Sequence, residues 1–185
     1  HQGVCNFIHA HIQKLRVGEG SRILQFAAFS FDASVSEIFT ALSSGATLCM
    51  ASRDILLSDS SLRDLMRSQS VTMAILPPSL LSILEPSELP DLQIVISAGD
   101  ACSLEIVKRW ASGRRFFNGY GPTEASVGPL LYEVKDPLQE ANPIPIGRPL
   151  SNQQAYVLNG QFQSQPVGVP GELYVGGVGL ARQRP

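Results

Sequence analysis

With 185 residues, 44% hydrophobic and 16% charged, the chain can bury a real core in one domain or a large part of one. A formal net charge of −2 and the lack of a basic stripe exclude a dedicated nucleic-acid binder, which grips phosphate through Lys and Arg. No apolar run reaches the length of a membrane span, and no charged-then-apolar leader opens the sequence, so a cytoplasmic location is expected.

The first predicted element is a helix over 3–14. His9 and His11 stand two apart in it, point to different sides, and are not expected to share a metal. Short apolar runs predict strands over 22–27, 46–51, 71–76, 92–97 and 114–117, with helices over 33–42, 60–68, 78–84 and 103–112 between them. Asp32 or Ser34 is placed to cap the second helix, and Ser103 precedes Glu105 and an apolar stripe in the last. Strands and helices alternating at these lengths imply β-α-β crossovers and a mostly parallel sheet covered on both faces. Ligands of such sheets gather beyond the carboxyl ends of the strands. The segments there are Phe31-Asp32-Ala33, Leu76-Pro77-Pro78, Ala98-Gly99-Asp100 and Gly119-Tyr120-Gly121.

Beyond residue 128 the texture changes. Pro137, Pro143, Pro145, Pro149, Pro166 and Pro170 punctuate short runs at 154–158 and 172–175, which reads as antiparallel strands joined by turns. The Asn159-Gly160 pair predicts a two-residue hairpin turn. The expected fold is therefore α/β over 1–128, a mostly parallel sheet flanked by helices, followed by a β-rich, barrel-like segment over 129–185. Cys5, Cys49 and Cys102 are odd in number, far apart and without C-x-x-C spacing, as expected for reduced, half-buried thiols.

The segment Phe117-Asn118-Gly119-Tyr120-Gly121-Pro122-Thr123-Glu124 carries the most chemistry. Tyr120 offers a flat face for a base, Thr123 a hydroxyl donor for a phosphate oxygen, and Glu124 the hard oxygen that Mg²⁺ prefers beside substrate phosphates. The same residues also suit an ordinary Gly-Pro turn with a helix start behind it. No G-x-G-x-x-G opens a helix after the first strand, which disfavours a dinucleotide-binding oxidoreductase.

That segment falls within an ordered series. It is preceded by Phe31-Asp32-Ala33-Ser34-Val35-Ser36-Glu37-Ile38-Phe39 with Leu42 and Gly45-Ala46-Thr47-Leu48, then by Leu76-Pro77-Pro78-Ser79 and Ser97-Ala98-Gly99-Asp100. It is followed by Ile146-Gly147-Arg148-Pro149 and by Gly171-Glu172-Leu173-Tyr174-Val175-Gly176-Gly177-Val178-Gly179-Leu180-Ala181-Arg182. In this order the runs resemble the motifs of nonribosomal peptide synthetase adenylation domains. These belong to the adenylate-forming superfamily, with acyl-CoA ligases and luciferases. The resemblance spans essentially the whole chain and implies part of the large N-terminal domain of that fold.

The implied reaction uses ATP and Mg²⁺. An amino-acid carboxylate attacks the α-phosphate to give aminoacyl-AMP and pyrophosphate, and the acyl group then passes to the phosphopantetheine thiol of a carrier domain. Carrier and condensation domains of the same synthetase are the implied partners. Carried over by position, Thr123 contacts phosphate and Glu124 ligates Mg²⁺. Tyr120 stacks on adenine opposite the Gly99-Asp100-Ala101 backbone, and Asn118 bonds the adenine amino group beside Gly119.

Asp32 has two readings, a helix N-cap or, as the resemblance implies, the partner of a substrate α-ammonium group. The other implied pocket positions are Ala33, Ser36, Ile75, Ile96, Ala98, Gly119, Val127 and Gly128. None is charged, so a bulky apolar or aromatic side chain is expected, with Ser36 deepening the pocket and offering a bond to a polar tip.

Two departures from the pattern stand out: Gly119 replaces the usual Ala, and Gln183-Arg184 stands where Gly-Tyr is usual. The family's phosphate loop precedes the position of His1. Its ribose-holding Asp, hinge and small Lys-bearing domain follow that of Pro185, so the segment alone is expected to be inactive. The competing readings are an acyl-CoA or aryl-acid ligase, and a non-catalytic remnant that keeps the sheet.

Overall fold

All four residues of Met73–Leu76 and of Ile94–Ser97 are buried, the pattern of strands covered by helices on both faces. In the computed structural model, which describes residues 1–181, these runs are the central strands β3 and β4 of a seven-stranded sheet. Arg182 and the departure at Gln183-Arg184 lie outside the described residues.

The elements run α1 (Gln2–Leu15), β1 (Arg22–Leu24), α2 (Ala33–Ser44), β2 (Thr47–Cys49), α3 (Arg53–Leu56), α4 (Asp59–Ser68), β3, α5 (Pro78–Leu81), β4, α6 (Leu104–Trp110) and β5 (Arg115–Tyr120). Four more strands follow: β6 (Leu130–Glu133), β7 (Arg148–Pro149), β8 (Gln153–Leu158) and β9 (Glu172–Gly177). The sheet order is β2-β1-β3-β4-β5-β6-β7. The strands from β2 to β5 pair in parallel, and β6 and β7 add antiparallel to that edge.

Alternation along the strands divides the core in two. Leu24, Ala74, Leu76, Val95 and Phe116 face α4, α5 and α6, where Trp110 is fully buried and donates its indole N–H to the Leu81 carbonyl at 2.8 Å. Their neighbours Ile23, Met73, Ile75, Ile96 and Phe117 face α1 and α2. Arg115 of β5 bonds Glu133 and the carbonyls of Lys14 and Leu15, which fixes the end of α1 against the sheet.

Several boundaries differ from expectation, each for a local reason. β1 stops at Leu24 instead of residue 27, because the N–H groups of Phe26 and Ala27 turn to the Glu37 carboxylate. β5 runs on through Asn118, Gly119 and Tyr120, which were expected in a turn, since β6 pairs with them as Tyr132, Leu131 and Leu130. The change of texture after residue 128 marks a reversal of strand direction within one sheet; the separate two-stranded sheet starts only at Gln153.

Asn159-Gly160 does not form a two-residue hairpin. The Asn159 side chain accepts from the N–H groups of Gln161 and Gln163, both at 2.9 Å, and this wider turn leaves β8 to pair with β9 across six residue pairs. Ser103 caps α6 through Ile106 N–H at 3.3 Å, whereas Asp32 stands at the N-terminus of α2 without a side-chain cap bond. Cys49 and Cys102 are buried and Cys5 is exposed, all three as free thiols.

Candidate active site

The chain crosses from one side of β1 to the other between β2 and β3, and ligands of open α/β sheets bind at such a switch point. Here the carboxyl ends of β1, β3, β4 and β5 surround a cleft of about 800 Å³. The structure brings Asp32, Ala33, Ser36, Ile75, Ile96, Ala98, Gly99, Gly119, Tyr120, Val127 and Gly128 into its lining. Residues far apart in sequence thus share one chiefly apolar wall, with Asp32, Ser36 and a few other polar groups set in it.

Asp32 is the first of these. Its Oδ2 is buried and has no hydrogen-bond partner among the described residues. A carboxylate oxygen held this way is costly unless a cation or donor reaches it. The missing cap bond weighs the same way: the side chain is not spent on the helix start.

The wall is closely drawn at Gly119, where a Cβ would lie 3.3 Å from Ile96 Cγ2 and 3.7 Å from Ala98 Cβ. Val127 is carried on unusual backbone. Ser126 and Val127 both take positive φ, 59° and 74°, and a β-branched residue there is strained. The strain is held from outside the cleft. Ser126 Oγ donates to the Gly179 carbonyl at 2.6 Å, and the Ala181 N–H donates to the Glu124 carbonyl at 2.7 Å.

The remaining sequence candidates lie outside the cleft lining. Asn118 is buried and donates from its amide to the Pro145 carbonyl at 2.9 Å. Asp100 is exposed and turns back on the Ala101 N–H at 2.7 Å. Thr123 and Glu124 are exposed on a short turn after β5. Among the described residues no group of three His, Cys, Asp or Glu side chains is placed to hold a metal. One accessible carboxylate suits Mg²⁺, which keeps water and substrate phosphates as its other ligands.

Two buried polar groups of the cleft lining escaped the sequence reading. Glu37 is fully buried in the lining of the cleft, and its carboxylate accepts from Phe26 N–H, Ala27 N–H and the Gln25 amide. Burial raises its pKa to about 7, against the pull of those bonds. His11 is buried on α1 and also lines the cleft. Its Nδ1 stands 3.4 Å from both Ser36 Oγ and Thr40 Oγ1 on α2, and its ring stacks on Phe7 at 4.8 Å. Burial lowers its pKa to about 4, so the imidazole is neutral. The available signal was two pairs at helical spacing, Phe7 with His11 and Ser36 with Thr40, each on one helix face. His9 is exposed and bonds Gln13 instead.

Fold and cleft define an α/β protein with a candidate ligand cleft at the switch point of a mostly parallel sheet. The family of AMP-binding enzymes matches residues 1–183, and the chain belongs to that family. Over 98% of its length it is 46% identical to a linear gramicidin synthase of Brevibacillus parabrevis, of which it covers 2%. To tyrocidine synthase 1 of the same organism it is 38% identical, again over 98% of the chain and 17% of that protein. The nonribosomal peptide synthetase FmoA3 superposes with a TM-score of 0.88 at 28% identity, covering 97% of this chain and 20% of FmoA3. The N-terminal subdomain of Klebsiella oxytoca NpsA, in complex with 3-hydroxybenzoyl-AMSN, gives 0.84 at 28% identity, covering 97% of this chain and 47% of that subdomain chain. Within the family, the chain is a segment of a nonribosomal peptide synthetase adenylation domain.

Proposed function

We propose that this segment supplies the amino-acid pocket and the adenine-facing wall of a site that activates an α-amino acid with ATP. The observation that carries this reading is the buried, unpartnered Oδ2 of Asp32 at one end of an apolar cleft. A substrate ammonium meets it through a charge-assisted bond, which is strong and directional in a partly dry site. The amino-acid side chain then lies along Ile75, Ile96, Ala98 and Val127, a surface suited to a bulky apolar or aromatic group.

With the ammonium held, the substrate carboxylate is aimed at the α-phosphate of ATP. Attack forms the acyl–phosphate bond and releases pyrophosphate, giving aminoacyl-AMP; in-line positioning lowers the entropic part of the barrier. Tyr120, exposed at the mouth, stacks on adenine opposite the Gly99-Asp100-Ala101 backbone, and Thr123 donates to phosphate. Asn118, anchored to Pro145, orients the strand end that carries Gly119 and offers its amide oxygen to the adenine amino group. Mg²⁺, held by Glu124 and the substrate phosphates, supplies electrostatic stabilisation of the phosphoryl charge when bound. The acyl group then passes to the phosphopantetheine thiol of a carrier domain, within a synthetase that also holds condensation domains.

A second reading, activation of an aryl acid, draws on NpsA, whose bound analogue carries a 3-hydroxybenzoyl group. One experiment separates the two: ATP–pyrophosphate exchange by the full-length protein with free amino acids, aryl acids and fatty acids. Aromatic or large aliphatic amino acids should be the best substrates. Exchange that runs as fast with acids lacking an amino group, or that is best with aspartate or lysine, would sink the reading.

A further inference from the structure

The cleft has a second polar feature that the ammonium partner does not explain. Ser36 follows Asp32 by four residues, so its Cα lies about one turn, ~6 Å, further along α2. Behind Ser36 stands His11, 3% exposed, with Nδ1 3.4 Å from Ser36 Oγ and from Thr40 Oγ1. The hydrogen bonds His11 makes among the described residues all use Nδ1, while its ring contributes to the cleft lining. An imidazole and a hydroxyl thus stand together in a chiefly apolar lining, one helical turn beyond the carboxylate proposed to receive the ammonium.

We propose that His11 and Ser36 read the far end of the substrate side chain, and that the amino acid accepted here is aromatic with a ring hydroxyl; this rests on the amino-acid reading above. The chemistry narrows the class in three steps. His11 and Ser36 carry no formal charge, and the Glu37 carboxylate in the cleft is already taken up by the Phe26 and Ala27 N–H groups, so the pair does not compensate an acidic or basic side chain. The cleft wall is chiefly apolar and includes the ring of Phe7 stacked on His11, which suits a flat ring more than a short polar chain. A phenol both donates and accepts, so it matches the imidazole–hydroxyl pair in either imidazole tautomer, whereas an indole N–H only donates. A pocket that bonds a substrate hydroxyl also rejects the analogue without it, because the pocket's own polar groups are left unpaired.

The test is ATP–pyrophosphate exchange by the full-length protein with tyrosine and phenylalanine in parallel, each reported as kcat/KM. Tyrosine should exceed phenylalanine by about tenfold, the yield of one buried hydrogen bond. In His11→Leu the ratio should fall towards one, and in His11→Gln, which keeps a polar tip, it should stay above about threefold. Equal rates with tyrosine and phenylalanine in the unaltered protein overturn the proposal whether or not the variants fold. So does a ratio that His11→Leu leaves unchanged. Exchange with no amino acid at all overturns the amino-acid reading itself, and the proposal with it.

Discussion

The two carboxylate oxygens of Glu37 lie 3.3 and 3.1 Å from the backbone nitrogen of Ala27, ten residues earlier in the chain. Phe26 N–H donates to the same carboxylate at 3.1 Å. A single side chain thereby ends β1 and shapes the segment that leads to Asp32. Glu37→Ala leaves both N–H groups without their partner, and each unsatisfied buried donor costs about 1–3 kcal/mol. The variant should lose about 3 kcal/mol in denaturant unfolding, and a loss below about 1 kcal/mol would show that the clamp is not needed.

The pH dependence of stability should show two opposed slopes. The folded pKa of Glu37 is raised from 4.5 to about 7, so the folded state binds the extra proton. Its contribution is complete below pH 4.5 and disappears as pH rises through about 7. The folded pKa of His11 is lowered from 6.5 to about 4, so its contribution is present above pH 6.5 and disappears as pH falls towards 4. Each shift corresponds to about 3 kcal/mol. Between pH 4.5 and 6.5 the two slopes offset each other. Thermal melts across that window should show stability falling with pH in His11→Gln and rising with pH in Glu37→Gln.

Asp32→Ala should raise the amino-acid KM by at least about 30-fold, the yield of one lost charge-assisted bond, and leave the KM for ATP nearly unchanged. The loss should be much smaller for a substrate analogue without the amino group. Equal losses with both compounds would return Asp32 to the role of a helix-start residue.

Glu124→Gln keeps the size of the side chain and removes its charge. Exchange should then need several-fold more Mg²⁺ for half-maximal rate, because Mg²⁺ at such sites relies on one or two carboxylates beside the phosphates. An unshifted Mg²⁺ titration would remove Glu124 from the metal's ligands.

Val127→Gly relieves a β-branched residue held at φ 74°. Strain of this kind costs about 1–3 kcal/mol, so the variant should be as stable as the parent or slightly more so, despite glycine's greater freedom when unfolded. It also removes apolar surface from the cleft and should widen the range of side chains accepted, which a substrate panel measures.

Much of this was legible in the sequence because the relevant residues are contiguous. The runs around Ala98 and Gly119 mark strand ends and the run around Asp32 the helix start that follows β1, and these points of a parallel sheet meet at one edge, so a one-dimensional pattern predicts a shared cleft. Legibility failed where the decisive partner was remote or competing. Asn118 to Tyr120 look like turn residues until β6 arrives to pair with them. The Asn159-Gly160 pair is a hairpin signal by composition, but the Asn159 side chain takes two backbone donors and opens the turn. In sequence His11 is only one of two histidines unable to share a metal; its neighbours on α2 make it a pocket residue. Nothing in the run around Glu37 shows that its carboxylate folds back on Phe26 and Ala27.

The bonds from Gly179 and Ala181 to the turn at Glu124 and Ser126 have a practical consequence for exchanging substrate pockets between synthetases. A graft whose downstream joint falls between β7 and β9 would import Val127 and Gly128 while leaving behind the native backbone that suspends them. The strained backbone at Val127 would then be free to relax, and the imported pocket would drift from its parent's preference even with every lining residue conserved. A block that ends beyond Ala181 carries pocket and tether across as one heritable unit.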